Sequence, residues 1–208
     1  MAFNIKGLLA TAIAGLGLMS SAPAALAMDF TNVAYVQVAS GNTSIPVGHL
    51  EFCRARPGEC QSNDQIVPAM SLTDANWQQL VSVNAHFNQT IVPATDRDLY
   101  QVEEFWTYPT SGYGDCEDYA LAKRRALIEA GWHPSTLMIA VVRQQDGSGH
   151  AVLIARTDRG DLVLDNQESL IRVWNETPYK FLKRQSQANA GQWVDMLDDR
   201  IVAVAATQ

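Results

Sequence analysis

One helix with a clear start and a clear end constrains the fold of this chain more than any other feature. In "YGDCEDYALAKRRALIEAGWHP", Asp115 is suited to the N-cap, the helix is predicted from about Cys116 to Ala130, and Gly131 is suited to the C′ position. Three short β-rich runs follow, "STLMIAVV", "HAVLIART" and "DLVLDN", separated by "RQQDGSG" and "DRG", which are typical of hairpin turns. Helices followed by antiparallel strands predict an α+β domain.

An earlier helix and some later strands are also predicted. Apolar and amide side chains recur at intervals of three and four residues between Ser71 and about Gln89, which indicates an amphipathic helix. Ser71, Thr73 or Asp74 would cap it. Further strands are predicted in "RVWNE", "YKFLKR" and "RIVAVAA".

Residues 1–27 have the pattern of a secretory signal peptide. Lys6 precedes the apolar run "GLLATAIAGLGLM", and small residues end the segment at Ala27. The alternative is a membrane anchor, but the run of about 13 residues falls short of the roughly 20 that span a bilayer. We therefore expect a mature chain from Met28 that does not span the membrane, located in the periplasm or secreted.

Length and charge limit the function classes further. Residues 28–208 suit a single domain, in which residues 28–70 form an N-terminal extension. The chain has a formal net charge of −7, and removal of Lys6 with the signal peptide would make it −8. An acidic chain without a cluster of basic residues is not expected to bind nucleic acid.

The three cysteines fall into two classes. Cys53 and Cys60 flank the turn-forming "RARPGE" and are expected to form a disulfide in an oxidising compartment. The alternative is a metal site that they share with His49, although this set lacks a fourth ligand. Cys116 remains unpaired, and a reactive thiol would explain an odd cysteine in an exported protein.

Cys116, His150 and Asp165 are the candidate catalytic residues. A helix N-terminus favours a thiolate at Cys116 and supplies N–H groups that help to hold an oxyanion, although a buried structural cysteine is the alternative. His150 opens one predicted strand and Asp165 closes the next, so the two side chains are expected to lie together. His150 would accept the thiol proton, and Asp165, ahead of Asn166, would orient the imidazole.

The other histidines fit this role less well. His133 follows the helix and would lie about 20 Å from Cys116, which is too far for proton transfer, so we expect an exposed loop residue. His86 lies off the apolar stripe of its helix and is expected to be solvated. His49 has no assigned role.

The same residues resemble a known family. "GYGDCEDYALAKRRALIEAGW", "GHAVLIART" and "LVLDN", preceded by "VNAHFN" and "EEFWTYP", are similar to the bacterial transglutaminase-like cysteine peptidases over about residues 72–193. The resemblance implies a papain/transglutaminase-like core with Cys116 as nucleophile, His150 as base and Asp165 as orienting residue. It also implies a calcium-dependent endopeptidase with a protein substrate such as a large surface adhesin, and a membrane-bound regulator.

Three acids surround the thiol. Asp115, Glu117 and Asp118 would raise the pKa of Cys116 and oppose the helix dipole. They would be helix-capping residues in one interpretation. In the other, which the resemblance favours, their oxygens bind Ca²⁺ in a loop bent at Gly112 and Gly114. No organic cofactor is expected.

Hydrolysis of peptide bonds is the favoured reaction. Two alternatives stay open, namely acyl transfer of the transglutaminase or amidase type, and a binding module without catalysis. The identity of the substrate does not follow from the residues.

Overall fold

The computed structural model describes Met1 and residues 34–201. The predicted signal peptide therefore lies outside the described residues. The strands are β1 (Gln37–Val38), β2 (Val92–Pro93), β3 (Tyr113–Gly114), β4 (Leu137–Arg143), β5 (Gly149–Thr157), β6 (Gly160–Leu164), β7 (Arg172–Val173), β8 (Lys180–Gln185) and β9 (Trp193–Leu197). The helices are α1 (Val47–Ala55), α2 (Asp74–Thr90), α3 (Asp96–Tyr100) and α4 (Cys116–Glu129), with short 3-10 turns at Pro57–Cys60, Pro134–Thr136 and Trp174–Glu176.

A seven-stranded antiparallel sheet forms the centre of the fold. Its order is β1-β9-β8-β4-β5-β6-β7, so the hairpins of β4, β5 and β6 lie beside one another. β2 and β3 form a separate parallel pair that leads directly into α4. The predicted α+β class is confirmed.

The two faces of the sheet pack against different partners. Along β4, Leu137 and Ile139 belong to the larger core, which includes Leu127 of α4 and Leu80 of α2. The intervening residues of β4 lie in a second core on the opposite face. This alternation follows from the two-residue period of a strand, and it explains why the β-rich runs are apolar on both faces.

The N-terminal extension packs along the sheet. β1 pairs with β9, Ala34 forms a bridge with Gly160, and Met70 forms a bridge with Thr157. Phe52 of α1 is buried in the larger core. Residues 34–70 thus share their core with the strands.

The helix predictions are confirmed with small changes. α4 starts at Cys116 and ends one residue before the predicted limit, and Gly131 has the positive φ of 97° expected at C′. α2 is capped by Thr73, whose side chain accepts a hydrogen bond from the Asn76 N–H. Asp115 occupies the N-cap position of α4, but its side chain makes no capping hydrogen bond.

The predictions for the last strands are partly wrong. "YKFLKR" corresponds to β8, whereas "RVWNE" is a strand only at Arg172–Val173 and continues as a 3-10 turn. In "RIVAVAA", Arg200 and Ile201 are not in a strand, and the remainder lies outside the described residues. Over the part of the chain that the structure describes, none of the helices has the length and apolar character required to cross a bilayer.

Candidate active site

Cys116 lies at the first position of α4, against the start of β5. Its Sγ accepts a hydrogen bond from the Ala151 N–H at 3.3 Å, and its thiol donates to Oε2 of Glu117 at 3.1 Å. Burial raises the pKa of the thiol well above its ordinary value, and the charge of Glu117 raises it further. Burial and the neighbouring acid thus both disfavour the thiolate in this arrangement.

His150 and Asp165 form a buried pair beside this thiol. Both residues are 3% exposed, and Nε2 of His150 lies 2.8 Å from Oδ1 of Asp165. Burial opposes ionisation of Asp165, but hydrogen bonds from His150, Tyr179 and the Gln167 N–H outweigh it, so the pKa of the carboxyl is lowered. Since the ionised carboxylate only accepts hydrogen bonds, Nε2 carries the proton and Nδ1 is the basic nitrogen.

β5 brings the two halves of the site together. Ala151, which donates to the thiol sulfur, directly follows His150 in this strand. Nδ1 of His150 lies 3.4 Å from Nε2 of Gln167, while the thiol donates to Glu117. The thiol and the imidazole therefore lie on neighbouring residues, but they do not bond to each other here: the thiol contacts Glu117 and Nδ1 contacts Gln167. The side chain of Asn166 takes no part in the pair.

A cluster of three acids lies next to the thiol. Asp96, Asp115 and Glu117 each place one carboxylate oxygen within 4.8 Å of the others. Asp96 comes from α3, and its N–H donates to Oδ2 of Asp115 at 3.4 Å. Asp96 was not among the predicted ligands because it precedes Asp115 by 19 positions and no motif connects the two residues.

Asp118 lies outside this cluster of three. Its Oδ1 accepts a hydrogen bond from the Thr107 N–H at 2.9 Å, and its side chain packs closely on Gly114. Burial raises the pKa of Asp118 to about 8. The predicted metal ligands thus separate into Asp115 and Glu117, which meet Asp96, and Asp118, which anchors the loop before α4.

The cluster has the chemistry of a site for a hard cation. Among the described residues, Oδ1 of Asp96, Oδ1 of Asp115 and Oε1 of Glu117 are buried without a hydrogen-bond partner. Burial and the charge of Asp115 raise the pKa of Glu117 to about 9, and burial and the charge of Asp96 raise the pKa of Asp115. Buried carboxylate oxygens that lack donors fit Ca²⁺, which binds oxygen ligands in irregular geometry.

The remaining histidines are accounted for by packing and capping. His133 follows α4 in a loop, as predicted, but it is half-buried and not exposed, because its Nδ1 lies 2.8 Å from Oγ of Ser135. His86 is exposed, as predicted. His49 is fully buried; its Nδ1 accepts a hydrogen bond from the indole N–H of Trp193 at 3.1 Å, and its Nε2 lies 3.1 Å from Nε2 of Gln185.

The predicted disulfide is present. Cys53 and Cys60 are bonded, with Cα atoms 5.5 Å apart, and Cys116 is the free cysteine among the described residues. The bond excludes the alternative metal site with His49, because oxidised sulfur atoms are not thiolate ligands.

A thiol at a helix N-terminus, next to a strand that carries an imidazole paired with a carboxylate, fits the class of cysteine peptidases. The family model for bacterial transglutaminase-like cysteine proteinases, BTLCP, matches residues 39–201, and the chain belongs to this family. The resemblance found in the sequence is confirmed.

The chain is also similar to solved structures of LapG from Legionella pneumophila. The EGTA-treated form is 26% identical over 65% of this chain and 74% of LapG, with a TM-score of 0.51. A second LapG structure is 28% identical over 57% and 68% of the two chains, with a TM-score of 0.49. The calcium-bound form is 27% identical over 55% of this chain and 66% of LapG, with a TM-score of 0.48. This match thus spans just under two thirds of the LapG chain. No curated protein matches the chain.

Proposed function

We propose that this family member is an exported cysteine endopeptidase in which Cys116 is the nucleophile, His150 the general base and Asp165 the orienting residue. One observation carries the proposal. His150, which pairs with Asp165, is followed in β5 by Ala151, and the N–H of Ala151 donates to the Cys116 sulfur. The strand that carries the base therefore also contacts the nucleophile.

The chemistry follows from the tautomer of His150. Nε2–H donates to Asp165, which leaves Nδ1 to accept the thiol proton once the thiol turns away from Glu117. The thiolate then attacks the scissile carbonyl, and the N-terminal N–H groups of α4 stabilise the oxyanion. His150 returns its proton to the leaving amine, and water hydrolyses the acyl-enzyme.

Cleavage of a peptide library tests this proposal. Cys116→Ala should abolish cleavage, and His150→Ala should lower kcat by at least about 10³-fold because the general base is lost. His133→Ala is the matched control, since His133 lies at the other end of α4, and it should cleave at the rate of the unchanged protein. A Cys116→Ala variant that retains more than a few per cent of the activity would contradict the proposal. Products linked to an added amine would indicate acyl transfer.

Calcium binding by Asp96, Asp115 and Glu117 is a second part of the proposal. The support is the group of unpartnered buried oxygens described above, together with the family resemblance. A bound Ca²⁺ would neutralise the cluster and fix the loop that carries Cys116. Asp118 belongs to this part as the residue that holds the loop through Thr107.

Calorimetric titration of chelator-treated protein tests the calcium site. Ca²⁺ should bind and raise the melting temperature, whereas Glu117→Gln should lose most of both effects because it removes a charged ligand. Glu129→Gln makes the same chemical change at an exposed position of α4 and should bind as the unchanged protein does. If the chelated protein shows neither heat of binding nor a change in melting temperature, the acids are structural.

Export and the substrate complete the proposal. The signal-like segment supports cleavage after Ala27, and mass spectrometry of the periplasmic or secreted protein should find Met28 at the N-terminus. A cysteine peptidase acts on a protein substrate, and the family resemblance favours a large surface adhesin with a membrane-bound regulator. Incubation of the protein with such an adhesin should yield defined fragments that Cys116→Ala does not produce.

A further inference from the structure

The carboxylate of Asp165 accepts three hydrogen bonds, and the third donor comes from a different part of the sheet. Oδ1 accepts from His150 Nε2 at 2.8 Å and from the Gln167 N–H at 3.0 Å, and Oδ2 accepts from the hydroxyl of Tyr179. Tyr179 is 6% exposed and immediately precedes β8. This strand pairs with β9 and β4, and not with β5, which carries His150, or with β6, which Asp165 directly follows.

The ring of Tyr179 also contacts the imidazole. The two ring centroids are 5.4 Å apart with an interplanar angle of 58°. One residue therefore touches both members of the buried pair, with its hydroxyl on Asp165 and its ring against His150. The two contacts together restrict rotation of the carboxylate and tilting of the imidazole.

We propose that Tyr179 is a positioning residue of the catalytic site, which fixes the Asp165 carboxylate so that His150 presents Nδ1 to the thiol. This inference rests on the proposed function of Cys116, His150 and Asp165. It adds a residue that lies outside the predicted triad.

The hydroxyl also sets the basicity of the carboxylate. Burial and the adjacent Asp165 raise the pKa of Tyr179, so the hydroxyl remains a donor throughout the pH range of an assay. A donor on Oδ2 stabilises the negative charge of Asp165 and reduces the attraction of this charge for the proton on Nε2. Without that donor, Oδ2 loses its partner and the Asp165 carboxylate is held by two hydrogen bonds instead of three.

Tyr179→Phe isolates the hydroxyl because it keeps the ring. Nitrogen-15 NMR of the histidine rings at high pH should show the Nε2–H tautomer of His150 in the unchanged protein and a mixture of the two tautomers in Tyr179→Phe. The Nε2–H resonance should also exchange faster with water, because the carboxylate is held less firmly. Tyr35→Phe is the matched control, since its hydroxyl donates to the Thr157 carbonyl, and it should change neither signal.

A double variant separates positioning from general packing. If Tyr179 acts through Asp165, Tyr179→Phe should change the tautomer ratio of His150 much less in an Asp165→Asn background than in the unchanged protein. Equal changes in both backgrounds, or no change in either, would overturn the proposal. Because the readout is the tautomer of His150, it is distinct from loss of the proposed function, which Cys116→Ala tests by cleavage.

Incorporation of 3-fluorotyrosine gives a result of opposite sign, and it covers the case in which Tyr179→Phe does not fold. Fluorination makes the hydroxyl a stronger donor with little change in volume, so the carboxylate should be held more firmly and the Nε2–H of His150 should exchange with water more slowly. The label enters all six tyrosines, and of those that the structure describes, Tyr179 is the one that contacts Asp165. An exchange rate that stays constant on fluorination would count against the hydroxyl.

Discussion

Replacement of Lys123 by Met is expected to stabilise the protein. Lys123 lies in the middle of α4, is fully buried, and among the described residues its Nζ has no hydrogen-bond partner. Burial lowers the pKa of this ammonium from 10.5 to about 7, although the charge of Asp165 acts in the opposite direction. The folded protein thus holds a costly cation that a methionine side chain of similar length would avoid.

The size of the effect depends on pH, and its sign follows from proton binding. The unfolded chain keeps the Lys123 proton up to pH 10.5, whereas the folded protein releases it near pH 7, so stability rises with pH between these values. The lowered pKa gives Lys123→Met an advantage of about 4 kcal/mol at pH 7 that declines to about 2 kcal/mol at pH 9. These values are upper limits, because Nζ also lies 5.8 Å from the ring centroid of Tyr119 and gains a cation–π attraction when charged.

Urea unfolding at pH 7 and pH 9 measures this difference. The comparison of Lys123→Met with the unchanged protein at each pH cancels the titration of the nearby acids, which is common to both. Lys183→Met is the control, since its ammonium donates to Ser44 at the surface, and it should alter the free energy of unfolding by less than about 0.5 kcal/mol. A destabilised Lys123→Met protein, or a gain that does not decline at pH 9, would refute the reasoning.

Two further predictions concern the loop before α4 and the disulfide. A Cβ at Gly114 would lie 2.7 Å from Oδ2 of Asp118, so Gly114→Ala should lower the free energy of unfolding by about 1–3 kcal/mol, whereas Gly58→Ala, which meets open space, should not. An unchanged melting temperature for Gly114→Ala would contradict this. Replacement of both Cys53 and Cys60 by Ser should cost about 2.5 kcal/mol in urea unfolding, and added reductant should then have no further effect.

Local signals explain why the centre of the fold could be predicted. α4 has a glycine at its C′ position and a proline shortly after it, and the strands β4 to β6 are short apolar runs between turns. Both patterns depend on residues that are close in sequence. The placement of His150 in β5 and of Asp165 directly after β6 followed from the hairpin between them, and the structure gives the pair a distance of 2.8 Å.

Tertiary contacts decided the features that the sequence did not indicate. Asp115 is of a residue type that commonly caps helices, yet its carboxylate accepts a hydrogen bond from the N–H of Asp96, which α3 brings close from another part of the chain. Tyr179 reaches Asp165 across the end of the sheet, and its position depends on the pairing of β8 with β4. Neither contact leaves a pattern in composition, period or spacing.

The pairing of β1 with β9 has a consequence for the order in which the chain folds. β1 finds its partner only when residues 193–197 are available, and the same segment supplies Trp193, whose indole N–H donates to the buried His49 of α1. Contacts between such distant residues form late, since closing a long loop costs entropy before the contacts compensate for it. A nascent chain that stops short of β9 should therefore leave residues 34–55 open to proteolysis, and the enzyme should gain its resistance to proteolysis only when its last strand has been made.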